Sequence, residues 1–193
     1  MKAPSDTRVG FALCGSFCTF SIVIEQIQTL RDNGYDVYPI MSPNAYMTNT
    51  RFGQAEAHIC RIESITGHPV WHTIEQVEPI GPKKCLDILV VAPCTGNTIA
   101  KLSQGIYDTS VTLAVKAHLR NNRPVVIAIS TNDGLSGSAR NIGTLQNYKN
   151  FFFVPYRQDD PIRKPMSIVA DMSKILPTLT QALDGKQIQP ILV

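Results

Sequence analysis

Apolar residues along this chain fall into two alternating rhythms, short runs and longer stretches in which they recur every three or four positions. The runs are Val9 to Leu13, Val37 to Met41, Ile88 to Ala92, Val125 to Ile129 and Phe151 to Val154. Ile88 to Ala92 is uninterrupted, which predicts a central parallel strand covered on both faces, since a half-exposed strand would alternate. After the first run, Phe17, Phe20, Ile24, Ile27 and Leu30 keep helical spacing until Asn33-Gly34 ends the stretch. Further helices are expected from about Thr50 to Ile65, closed by Gly67, and briefly over Ile74 to Val77. Others are expected from about Gly96 to Gln104, Ser110 to Arg120 and Ala139 to Tyr148. A last helix is read from the single stripe of Ile168, Met172, Ile175, Leu179 and Leu183. His68 to Cys85, broken by Pro69, Pro79, Gly81 and Pro82, is otherwise loop.

Strand and helix thus alternate, and a parallel neighbour requires a crossover, nearly always right-handed. The expected fold class is α/β: one doubly wound parallel sheet with helices on both faces, a three-layer sandwich formed by residues 1–193 as a single domain. In such sheets ligands sit beyond the carboxyl ends of the strands, where the strand order reverses. The loops that start at Cys14, Ser42, Pro93 and Ser130 should therefore converge.

Composition narrows the class. Hydrophobic residues at 44% and charged residues at 17% describe a globular chain, and a net charge of +3 is too small to imply nucleic acid. No apolar run approaches the ~20 residues that cross a bilayer, and the polar stretch Met1 to Arg8 does not read as a signal peptide. Five cysteines, at 14, 18, 60, 85 and 94, show neither CxxC spacing nor a nearby histidine pair. They are read as reduced thiols in the cytoplasm, with no metal site.

Candidate chemistry gathers at the strand ends. Each of the four loops carries small or hydroxyl-bearing residues: Gly15-Ser16, Ser42, Thr95-Gly96-Asn97-Thr98 and Ser130-Thr131. Free N–H groups at a helix N-terminus together with the helix dipole favour an anion, and a phosphate monoester suits several such loops at once. Simple helix capping is the competing reading for any single one of these residues. A dinucleotide is disfavoured, because the first loop lacks G-x-G-x-x-G and the second strand ends in Met41-Ser42 where an acidic residue would hold a ribose. A Walker A loop is absent as well. One phosphate and one ring system remain, a description that FMN meets. Arg51, in Asn49-Thr-Arg-Phe-Gly53, is a candidate grip for a substrate carboxylate, and Asn132 and Asp133 follow a central strand where side chains face the crevice. A surface arginine and a plain turn are the bland alternatives. No catalytic residue is assigned. His58 and His118 fall in expected helices, His68 and His72 in the irregular segment, and none stands beside a nucleophile.

The Gly15-Ser16 loop and the segment Ala92-Pro-Cys-Thr-Gly-Asn-Thr98 resemble the flavoprotein family of FMN-dependent cysteine decarboxylases. The chain is similar over nearly its whole length to the lineage formed by the B subunits of dipicolinate synthases. That similarity runs through Asn49-Thr-Arg-Phe-Gly53, Arg120-Asn-Asn-Arg-Pro-Val-Val126, Ser130-Thr-Asn-Asp133, Gln158-Asp-Asp-Pro161 and Gln189-Pro-Ile-Leu-Val193. The resemblance implies a flavodoxin-like, Rossmann-like fold with FMN contacts at Gly15, Ser16, Ser42, Thr95, Gly96, Asn97, Thr98 and Ser130. It also implies a place in the oxidation of dihydrodipicolinate, a small dicarboxylate, to dipicolinate. The partner would be the NADPH-carrying A subunit of a dipicolinate synthase, in the mother cell of a sporulating bacterium, and the chain itself would form a homo-oligomer. The decarboxylases look to a histidine before the central strand, a cysteine in a late flap and a Pro-Ala-Met-Asn clamp. This chain has Glu78-Pro79, Arg157-Gln-Asp-Asp-Pro161 and Ser130-Thr-Asn-Asp133 in their places. A scaffolding subunit with a vestigial pocket, or a decarboxylase with altered residues, are the alternative readings.

Overall fold

The computed structural model describes residues 2–193. Five strands make its parallel core: β1 (Arg8–Leu13), β2 (Asp36–Met41), β3 (Ile88–Cys94), β4 (Val125–Thr131) and β5 (Phe151–Phe153), in the spatial order β2-β1-β3-β4-β5. β3 is buried along its full length and β4 along all but its last residue, which is why neither shows polar alternation. The helices α1 (Phe20–Asp32), α2 (Pro43–Met47), α3 (Ala55–Thr66), α4 (Ile74–Val77), α5 (Gly96–Ser103), α6 (Ser110–Leu119) and α7 (Ala139–Gln146) connect these strands. α1 turns Phe20, Val23, Ile24, Ile27 and Leu30 into the core, the face its sequence spacing marks out. No helix among the described residues is long and apolar enough to cross a membrane.

The sheet is mixed, which corrects the expectation of parallel strands throughout. Residues 156–170 form a hairpin, β6 (Tyr156–Asp160) and β7 (Lys164–Ala170), and β7 lies antiparallel to the end of β4 through Ser130↔Val169 and Thr131↔Ile168. β4 is therefore a fork. Its first half, Val125 to Ile127, pairs with β5, and its last two residues pair with β7. The last helix, α8 (Ile175–Leu183), is correspondingly shorter than its stripe implies, because Ile168 belongs to β7 and Met172 to a 3-10 turn over Met172–Lys174. The expected helix from Thr50 likewise starts only at Ala55, after a turn closed by reciprocal Thr50–Gly53 backbone hydrogen bonds.

Order β2-β1-β3 places the reversal between β1 and β3, whose carboxyl ends lead into the first and third candidate loops. At that end Pro93 interrupts β3. Lacking an N–H, it cannot donate to the ladder, and the β3–β4 register shifts between Val91 and Cys94. Its carbonyl instead accepts from the Cys14 N–H at 3.2 Å and ties the end of β3 to the first loop.

Candidate functional site

Direct hydrogen bonds hold the four strand-end loops together. The Ser16 and Ser130 hydroxyls bond each other at 2.8 Å, which joins the loops after β1 and β4. The Ser42 N–H donates to the Leu13 carbonyl at 2.9 Å, and the Ser110 hydroxyl donates to the Met41 carbonyl at 2.6 Å, anchoring the loop after β2. Ser42 then caps α2 by accepting from the Ala45 N–H at 3.3 Å. Between them runs a relay in which Thr95 donates to the Thr98 hydroxyl at 3.3 Å and Thr98 donates to the Cys14 sulfur at 3.2 Å.

Thr95 occupies the N-cap of α5 but makes no side-chain cap bond. The first N–H groups of that helix therefore keep their capacity for an anion. Gly96 begins the helix for a steric reason. A Cβ there would lie 2.6 Å from each of Asp133 Oδ1, Ser138 Oγ and Thr131 Oγ1. Those three side chains form one knot, with Thr131 donating to Asp133 and Ser138 donating to both carboxylate oxygens at 2.9 Å. The knot fixes the turn after β4 against the start of α5.

Two clefts open on this assembly. The larger, of about 950 Å³, has an apolar side that includes Phe17, Ile22, Phe52 and Met172 and a polar side from the loops and the hairpin. The smaller, of about 340 Å³, is bordered by Ser42, Asn44, Thr98, Lys101 and Thr109. Gly15, Thr95 and Asn97 border both. Ser16, Gly96, Ser130, Asn132 and Asp133 line the larger cleft, whereas Ser42 and Thr98 line the smaller. Arg51 lines neither: its exposed guanidinium stacks over the Phe52 ring at 4.9 Å, and Phe52 is the residue that faces the cleft. Asp133 reaches the cleft with its carboxylate already engaged by Thr131 and Ser138.

Sequence reasoning missed the cations. Lys101 stands one helical turn beyond Asn97 on the same face of α5, a spacing that was readable, and it also bonds Asp108 at 2.8 and 2.9 Å. Arg157, Asp159 and Lys164 arrive on the β6–β7 hairpin, which the apolar pattern did not reveal, and Lys164 pairs with Asp159 at 2.7 Å.

Titratable groups nearby are held in fixed states. Burial pushes the Cys94 thiol well above its ordinary range, and contact with Cys14 reinforces this. The hydrogen bond from Cys94 pulls Cys14 below that range against the effect of burial, with Thr98 helping. Among the described residues no histidine lines either cleft. His118 is packed inside α6, where burial pushes it down to about 4 and its Nε2–H donates to the Pro124 carbonyl at 3.1 Å. Burial also lowers His58, which packs edge-on to Phe20.

Comparison with known proteins gives this architecture its relatives. A family model described as Flavoprotein matches residues 2–183. The B subunit of dipicolinate synthase from Bacillus subtilis (strain 168) is 45% identical over 193 residues, covering 100% of this chain and 96% of that protein. The crystal structure of the B subunit of dipicolinate synthase from Bacillus halodurans superposes with a TM-score of 0.91 at 40% identity, over 100% of this chain and 98% of that one. The FMN-dependent cysteine decarboxylase SpaF superposes with a TM-score of 0.70 at 26% identity, over 93% of this chain and 99% of the other.

Proposed function

The chain belongs to the flavoprotein family, and from that premise we propose that it works as the B subunit of a dipicolinate synthase with an FMN site across its strand-end loops. The supporting observation is the donor set. Hydroxyls of Ser42, Thr95 and Thr98, the uncapped N-terminus of α5 and the Lys101 ammonium surround the smaller cleft, and this combination suits a phosphate dianion. The neighbouring cleft of about 950 Å³ falls within the range of ligand pockets, and its Phe17, Ile22, Phe52 and Met172 side suits a flat apolar ring. Gly15 and Asn97, which border both clefts, would hold the sugar-chain portion. FMN when bound supplies a hydride acceptor or donor beside the substrate.

In this reading the substrate is dihydrodipicolinate. Its aromatisation releases a hydride and a proton, and NADP+ on a partner A subunit would take up the hydride and leave as NADPH, which completes the electron balance. The protein's own contribution is to position the dicarboxylate in the larger cleft and to exclude water there. The setting that fits is the mother-cell cytoplasm of a sporulating bacterium, with the chain folded as one domain and self-associated.

The test is spectroscopic and then enzymatic. Titration of the purified protein with FMN should give saturable quenching of flavin fluorescence, and dipicolinate formation should require both proteins. Absence of flavin binding would remove the cofactor from this account. Full activity of the isolated partner would remove catalysis, and release of carbon dioxide from a cysteine-terminated peptide would return the chain to the decarboxylases.

A further inference from the structure

We propose that Arg157, on strand β6, is the residue that anchors a substrate carboxylate in the larger cleft; this rests on the dicarboxylate reading of that cleft given above. The placement follows from register. Arg157 opposes Val169 on β7, and Val169 opposes Ser130 at the end of β4. Residues directly opposed on antiparallel strands point to the same face, so these three form one row on the cleft side, and all three line it. Two strand spacings separate Arg157 from Ser130, about 10 Å. Ser130 is bonded to Ser16, so the row runs from the hydroxyls at the strand ends to a cation across the opening. A ring bearing a carboxylate, with its heterocycle beside the Ser16–Ser130 pair, spans that gap.

Charge supports the same choice. Asp159 and Lys164 neutralise each other at 2.7 Å, and Asp171 accepts from the Ser173 N–H and hydroxyl at 3.1 and 2.6 Å. Asp133 is engaged by Thr131 and Ser138. Arg157 is the remaining charged group on the wall, and it makes no ion pair or side-chain hydrogen bond with any described residue. A guanidinium presents paired N–H donors that match a carboxylate in two parallel bonds, which a lysine does not. Arg51, the arginine marked out by sequence, is directed at Phe52 instead.

Calorimetric titration with pyridine-2,6-dicarboxylate tests this, using the purified chain with and without FMN. The wild type should bind with an affinity that falls as salt rises. Arg157→Gln should lower the affinity by about tenfold or more, Arg157→Lys should recover part of it, and Arg51→Gln should leave it unchanged. Arg157 is exposed and its side chain makes no ion pair or hydrogen bond with any described residue, so its variants should keep the wild-type circular dichroism. Binding by Arg157→Gln equal to wild type overturns the inference. So does failure of the wild type to bind the dicarboxylate while FMN still binds, which leaves the flavin reading standing. Arg157-dependent dicarboxylate binding without any FMN binding does the reverse, and failure of both ligands removes both.

Discussion

Replacing Gly96 with alanine tests the link between the start of α5 and the turn after β4. The added Cβ would stand 2.6 Å from three oxygens, about 0.8 Å inside the 3.4 Å at which ordinary contact begins. None of the three is a free end, because Thr131, Asp133 and Ser138 are hydrogen-bonded to one another. Overpacking of this kind costs about 1–3 kcal/mol. Losing one bond of the knot adds about 1 kcal/mol, so the expected loss is about 2–4 kcal/mol. Gly143, inside α7, is the matched control. Nothing lies within 4 Å of its Cβ position, so Gly143→Ala should stabilise by about 0.5–1 kcal/mol through helix propensity alone. Urea unfolding followed by far-ultraviolet circular dichroism should move the midpoints in opposite directions with unchanged slopes. A Gly96→Ala variant within about 0.5 kcal/mol of wild type would refute the steric reasoning, as would equal shifts of the same sign in both variants.

Three other outcomes are expected. Ser16→Asp combined with Thr95→Asp sets one carboxylate on the wall of the larger cleft and one against the anion seat, and should weaken FMN binding by about a hundredfold or more, measured by flavin fluorescence. Lys101→Met should weaken FMN by about tenfold and leave riboflavin, which lacks the phosphate, unaffected; equal effects on both would move the phosphate out of the smaller cleft. His118 titrates near 4 in the fold against about 6.5 unfolded, so the unfolded chain takes up the proton first. Stability should therefore be full above about pH 6.5 and fall by about 3 kcal/mol as pH drops toward 4, a decline that His118→Gln flattens in denaturation midpoints.

The parallel core was legible because burial on both faces leaves unbroken apolar runs, and β3 and β4 carry them almost end to end. The hairpin was not, for the opposite reason. β6 reads Tyr-Arg-Gln-Asp-Asp and exposes its three middle residues, and β7 opens on Lys164-Pro165 and leaves only the short apolar end Ile168-Val169-Ala170, so neither reads as a strand. Ile168 and Met172 then fell at helical distances from Ile175 by coincidence and extended the apparent last helix. At the site, hydroxyl and glycine residues after strand ends marked the loops correctly as neighbours, since topology alone requires those ends to meet. What sequence did not disclose was contact made through tertiary structure: Asp133 as the centre of a packing knot rather than a free carboxylate, and the cations delivered by the hairpin.

The division of β4 between two partners has an evolutionary reading. Its first half is locked into the parallel layer, whereas its last two residues pair with the hairpin, whose other ties are from Tyr156 to the segment around Leu192 and from the Met166 carbonyl to the Leu135 N–H. Insertions, deletions or exchange within the exposed stretch 157–165 would thus leave the cofactor loops in place, so a lineage built on this scaffold can acquire new substrates by remodelling one appendage.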